Sequence, residues 1–156
     1  MPVTVRRLGP GDEDVLALLA REDADFDLDG RSGSAEPLGA EHARRFLANP
    51  AVLQWIAAEG DHVVGLLLCI IVPLRSGAGE ELLLYEIGVR SAWRRRGVGR
   101  ALLDAMERWM RDHAIDEVWV LGDNAGAVEF YRACGFAPEM PQPTYLLRTL
   151  SDGAAG

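Results

Sequence analysis

The run Arg94-Arg-Arg-Gly-Val-Gly-Arg100 packs four arginines and two glycines into one turn, after a strand-like segment and directly before a helix-like one. Gly97 and Gly99 carry no Cβ, so backbone can approach a ligand closely there. The N–H groups at a helix start, together with the helix macrodipole, favour an anion. Arg94, Arg95, Arg96 and Arg100 add fixed positive charge around the same point. The spacing is neither the G-x4-G-K-[ST] frame of a P-loop nor the G-x-G-x-x-G dinucleotide fingerprint. The chemistry this turn offers is capture of a pyrophosphate; the alternative is an exposed basic helix start with no ligand.

Three other features carry possible chemistry. Glu86 lies inside the apolar run Leu82-Leu-Leu-Tyr-Glu-Ile-Gly-Val89. A carboxylate buried in such a strand must be either partnered or functional, because an unpaired buried charge is costly. Burial would also raise its pKa toward the range useful to a general base, and a structural salt bridge to an arginine is the alternative. Tyr131 stands beside Phe130, as a proton donor or as a packed core-edge ring. The stretch Asp25-Phe-Asp-Leu-Asp-Gly-Arg-Ser-Gly-Ser-Ala-Glu36 spells the calcium-loop formula D-x-[DN]-x-[DN]-G-x5-E. Yet Ser32 occupies the anchor position, and no second loop exists to pair with it. A solvated loop, or an acidic rim in which Asp23, Asp25, Asp27 and Asp29 collect a polycationic amine, are the competing readings. No metal is expected.

A chain of 156 residues that is 49% apolar has enough material for one domain with a buried core. Its 24 acidic against 16 basic residues give a net charge of −8, which disfavours nucleic acid and suits a cationic partner. Cys69 and Cys134 read as reduced, buried thiols, and His42, His62 and His113 show no metal-ligand spacing. The N-terminus does not read as a signal peptide, and the longest apolar run, residues 63–73, is too short to span a bilayer as a helix. These features predict a cytoplasmic protein with no membrane partner.

The elements that must position these residues follow from periodicity. Residues 3–8 alternate as a strand, and the Gly9–Asp12 turn supplies an N-cap for a helix over 14–23. A loop over 24–39 precedes a helix over 40–49. Residues 53–58 and 62–72 form a β-hairpin, with the second run apolar enough to be covered on both faces. A strand over 80–89 enters the arginine turn. Val98, Leu102, Ala105, Met106 and Trp109 then recur at helical spacing. A strand over 117–121, a helix over 123–134 ended by Gly135, and a closing strand over 144–150 complete one mixed α/β domain over 1–150, with a flexible tail at 151–156.

The frame R-x-x-G-x-G at Arg94, Gly97 and Gly99, followed one strand later by D-N-x-x-A-x-x-F-Y-x-x-x-G-F from Asp123 to Phe136, resembles the GNAT N-acetyltransferase superfamily. Within it, VVGLLLCIIVP, ELLLYEIGV and RRRGVGRALL resemble the small aminoglycoside 3-N-acetyltransferases, while the segment 140–150 departs from the acidic ending of that branch. The resemblance implies a mixed central sheet with helices on both faces, and acetyl-CoA as acetyl donor. It implies that backbone amides from Arg95 to Arg100, Val98 included, hold the pyrophosphate. Ile87, Gly88 and Val89 would pair with the pantetheine arm, an amide of Gly88 or Val89 would polarise the thioester carbonyl, and Asn124 would touch the arm. Tyr131 would protonate the leaving thiolate and Glu86 would accept a proton from the attacking amine. The implied acceptor is a small cationic amine, an aminoglycoside or polyamine, met by Asp25, Asp27 and Glu86. A protein N-terminal or lysine acetyltransferase and a non-catalytic acyl-CoA sensor remain as alternatives. A homodimer is expected.

Overall fold

A computed structural model describes residues 2–26 and 35–150 of the chain. Asp27, Asp29 and the centre of the acidic stretch lie outside the described residues, as does the tail at 151–156. Strands β1 (Thr4–Arg7), β2 (Val52–Glu59), β3 (His62–Pro73) and β4 (Glu80–Val89) form an antiparallel meander, and β5 (Val118–Trp119) joins the β4 edge in parallel. The sheet order is β1-β2-β3-β4-β5. The near-continuous apolar run of β3 has the reason expected of it: seven consecutive residues, Val63–Cys69, are buried between two layers.

Those layers are set by helical stripes. On one face, α4 (Val98–Asp112) turns Val98, Leu102, Ala105 and Met106 inward onto Leu67, Cys69, Leu82 and Leu84. Approach there is close enough that a Cβ on Gly65 would stand 2.9 Å from Val98 Cγ1. Helix α5 (Ala125–Ala133) joins this face through Ala127 and Tyr131. On the other face, α1 (Glu13–Arg21), α2 (Asp23–Phe26) and α3 (Ala40–Ala48) bring Leu19, Phe26 and Leu47 onto Ile56, Val63 and Leu66. The expected mixed sheet with helices on both faces is therefore the architecture.

The structure departs from expectation in three places. Residues 24–26, read as the start of a loop, belong to the short helix α2, because Phe26 is drawn into the core and is 2% exposed. Asp12 occupies the N-cap position without capping: its carboxylate accepts instead from Gly9 N at 2.9 Å and pairs with Arg6 at 3.0 Å. The hydrogen bond from Arg6 holds that carboxyl below its usual value. Finally, residues 144–150 do not close the sheet. They form no strand, and Tyr145, Leu146, Leu147 and Leu150 are all exposed. Pro138, Pro141 and Pro143 remove three amide donors on the approach to this segment, which weakens any ladder begun there.

Both cysteines are free thiols. Cys69 is fully enclosed, 3.6 Å from Met106 Sδ, and burial pushes its thiol well above the ordinary range. Cys134 is half-buried and raised less. Native protein treated with Ellman's reagent should therefore release one slow equivalent, from Cys134, and the second only after denaturation. Prompt release of both would contradict the packing of Cys69.

Candidate active site

The ladder between β4 and β5 is only two residues long: Leu82 pairs with Val118 and Leu83 with Trp119. Leu82 N adds one bond to Glu117 O at 2.9 Å. Beyond this point β4 continues to Val89 with β3 on one edge and, among the described residues, no strand on the other. A cleft of about 1730 Å³ occupies the gap. Tyr85, Glu86, Ile87 and Gly88 line one wall, and Val120–Asn124 with Ala127 and Tyr131 line the opposite one.

Alternation along β4 decides which backbone groups face the gap. Arg90 N donates to Val64 O at 2.9 Å, so Arg90 is turned toward β3. Gly88 opposite Leu66 is then also turned toward β3, while the amides and carbonyls of Ile87 and Val89 face away from it. The Val89 carbonyl accepts from Arg94 Nε at 3.2 Å, consistent with that direction. Of the two amides nominated from sequence, Val89 is the one turned away from β3. Gly88 serves a different purpose, because a Cβ on it would lie 2.8 Å from the Phe26 carbonyl.

From Arg90 the chain makes a single 3-10 turn over Ser91–Trp93, then enters the left-handed region at Arg95 (φ 60°) and again at Gly97 (φ 81°), and α4 begins. The first intrahelical bond runs from Ala101 N to Gly97 O at 3.0 Å, so the amides of Val98, Gly99 and Arg100 open at the helix mouth. Among the described residues, and apart from the adjoining backbone, no atom lies within 4 Å of where a Gly97 Cβ would be, so that face of the turn is bare. Gly99 is a packing glycine as well: a Cβ on it would touch the Phe130 ring at 3.0 Å. The arginines hold the turn as well as charging it. Arg96 stacks 4.1 Å over Trp93, Arg100 donates to Ala133 O at the end of α5, and Arg95 is exposed. Bare amides at a helix N-terminus amid four guanidiniums, beside an open strand edge, fit the diphosphate and amide-bearing arm of an acyl-CoA.

The side chains in the cleft differ from expectation in one respect. Glu86 is exposed rather than buried. The β3–β4 register shifts between Leu68 and Cys69, which pair with Glu86 and Leu84 and leave Tyr85 as the extra residue of a bulge. Tyr85 and Glu86 therefore both reach solvent, where simple alternation would have hidden one of them. Tyr131 is buried at 8% exposure, wedged between Phe130 and Phe136 at 5.6 and 5.4 Å, and still lines the cleft. Asn124 is the N-cap of α5, its Oδ1 accepting from Ala127 N at 2.8 Å. Glu86, Tyr131 and Asn124 thus meet across one cleft with Ile87 and Gly88.

Asp25 lies on the other side of β4, on α2. Its Oδ1 accepts from Ser91 Oγ at 2.6 Å and its Oδ2 pairs with Arg90 at 3.2 Å. The Ser91 hydrogen bond, with Arg90 beside it, holds its carboxyl below the usual value. Asp27 is outside the described residues. Among the described residues there is no cluster of His, Cys, Asp or Glu able to hold a metal. Sequence reasoning missed Arg90, Ser91 and Glu22. The proximity of Arg90 to the arginine turn was visible, but its partners lie on an element far away in the chain.

Residues 18–136 match the sequence model of the acetyltransferase (GNAT) family. The L-amino acid N-acetyltransferase AaaT of Escherichia coli K12 is 34% identical over 110 residues, which are 67% of this chain and 65% of that protein. The chain thus matches just under two thirds of that relative's length. An aminoglycoside acetyltransferase, meta-AAC0020, from an uncultured soil metagenomic sample and in complex with sisomicin, superposes with a TM-score of 0.81 at 20% identity, covering 96% of this chain and 97% of that one. The ribosomal-protein-alanine N-acetyltransferase of Brucella melitensis biovar Abortus 2308 gives 0.74 at 16% identity, covering 95% and 100%. At these identities the structural likeness establishes the fold.

The bare turn can be tested with an isosteric pair. Gly97→Asn and Gly97→Asp impose similar strain in the left-handed region, which Asn and Asp tolerate better than other side chains. They differ by one negative charge. Calorimetric titration should show acetyl-CoA binding weakened at least about tenfold more in the Asp variant, roughly 1.4 kcal/mol. Equal losses in the two variants would remove the anion from this turn.

Proposed function

The chain belongs to the acetyltransferase (GNAT) family, and from that premise we propose that it transfers the acetyl group of acetyl-CoA to an amine of a small cationic acceptor. The observation that carries the acceptor class is the charge of the cleft wall. Seven of its residues are acidic, Asp23, Glu86, Glu107, Asp116, Glu117, Asp123 and Glu139, and one, Arg132, is basic. Such a wall attracts a polycation, an aminoglycoside or polyamine, and repels carboxylates. The fold shared with the sisomicin-bound enzyme supports the same class. The likeness to an L-amino acid N-acetyltransferase supports a second reading, an α-amine acceptor, whose carboxylate would have to be met by Arg132.

Acetyl-CoA supplies the activated acyl group when bound. The amides of Val98, Gly99 and Arg100 hold the diphosphate, and the extended arm takes the place of a missing strand along the Ile87 and Val89 edge of β4. The Val89 N–H is the donor turned toward the carbonyl that must gain negative charge. Alkyl amines are mostly protonated at neutral pH, so a proton must leave before or during attack. Glu86 receives it at its carboxylate, through water because the side chain is exposed. Tyr131 donates its phenolic proton to the departing sulfur and recovers one from solvent. Attack is direct, and Cys69, being enclosed, has no part in it. The same reading carries a cytoplasmic homodimer. Among the described residues, no helix is long and apolar enough to cross a membrane.

A thiol-release assay with acetyl-CoA and a panel of sisomicin, spermidine, L-methionine and a peptide with a free N-terminus separates the acceptor classes. Turnover should be fastest with sisomicin or spermidine. With the preferred amine, Glu86→Gln should lower kcat about a hundredfold while leaving acetyl-CoA affinity intact. Tyr131→Phe should act in the same direction. Acetyl-CoA binding without turnover on any amine would replace this reading with a non-catalytic acyl-CoA sensor.

A further inference from the structure

Arg90 takes no part in the chemistry above, yet it is a charged side chain left 8% exposed at the end of the donor strand. Its guanidinium is fully committed to one place. Nε donates to the Val63 carbonyl, Nη1 to Asp25 Oδ2 at 3.2 Å and Nη2 to Glu22 Oε2 at 2.7 Å. The same group lies 4.6 Å over the Phe26 ring. Ser91, the next residue, binds the second oxygen of Asp25. Glu22, Asp25 and Phe26 bracket α2, so one side chain grips both ends of that short helix.

The grip has a geometric consequence. Four residues of helix make too little hydrogen bonding of their own to hold a position. The height and rotation of α2 are set by Phe26 seated on Gly88 and by the planar guanidinium joining two carboxylates, an arrangement a lysine cannot reproduce. Asp23 and Phe26 of α2 both line the cleft that Glu86 lines. We propose that Arg90 is a positioning residue, which latches α2 against Gly88 and so fixes the acceptor wall relative to the Ile87–Val89 edge. This rests on the acetyl-transfer reading for its use. It also reassigns Asp25, which acts as a strut of the latch rather than as a free collector of cations.

Arg90→Met keeps apolar cover over Phe26 and removes the fork. Hydrogen–deuterium exchange of residues 20–26 should speed up roughly tenfold while exchange in α4 stays unchanged. Acetyl-CoA affinity by calorimetry should stay within about twofold, whereas the KM for an amine that turns over should rise roughly tenfold. Unchanged exchange at residues 20–26, equal loosening of α4, or an unchanged amine KM would each overturn the proposal. Asp25→Asn and Ser91→Ala each weaken one arm and should shift the same readouts less, which keeps the question decidable if Arg90→Met does not fold. If wild-type protein binds acetyl-CoA but acetylates no amine, the functional reading fails, and the exchange experiment still decides whether the latch exists.

Discussion

The site depends on a sheet that stops pairing. After Leu83 and Trp119, β4 and β5 part, and among the described residues no strand pairs with the Ile87 and Val89 edge, whose Val89 carbonyl accepts from the Arg94 side chain instead. Buried backbone donors and acceptors are nearly always satisfied, so an extended polar chain laid along this edge would gain hydrogen bonds that the protein withholds from itself. Everything nearby keeps the edge rigid while leaving it open. β3 holds its far side in register, α4 braces the sheet from one face, and Phe26 presses on Gly88 from the other.

Charge is distributed to match. The chain is acidic overall, yet Arg94, Arg95, Arg96 and Arg100 gather in the turn between β4 and α4, while carboxylates line the cleft walls. An anionic donor would then be drawn to the turn and a cationic acceptor to the cleft, each repelled from the other's place. The arginines are not simply a cloud of charge, because Arg94, Arg96 and Arg100 also brace the turn through Val89, Trp93 and α5. Such contacts keep the helix-mouth amides in place, so less ordering remains to be done on binding.

Much of this was legible in the sequence, for physical reasons. The stripe of Val98, Leu102, Ala105 and Met106, the apolar run of β3 and the glycine-bearing helix start are local patterns, and each formed the element its spacing required. What escaped were features decided by contacts between distant segments. The bulge at Tyr85 belongs to the register between two strands, so no alternation within Leu82–Val89 announces that Glu86 will be exposed. Leu146, Leu147 and Leu150 have the composition of a closing strand, but composition does not supply a partner edge. Asp12 has the position of a cap and was taken by Arg6 instead.

Exposure changes how Glu86 must be understood. A carboxylate sunk in the sheet would have owed its reactivity to desolvation. One that stands exposed in a cleft would act through where it is placed, in the cleft it shares with Tyr131 and one residue before the Ile87–Val89 edge. Placement of that kind is only as good as the walls around it. Those walls include α2, a helix too short to stand alone, and its attachment runs through a buried guanidinium to Glu22 and Asp25. On the proposed reading, precision at the reacting centre would be supplied from behind the strand, by a side chain that need never touch either substrate.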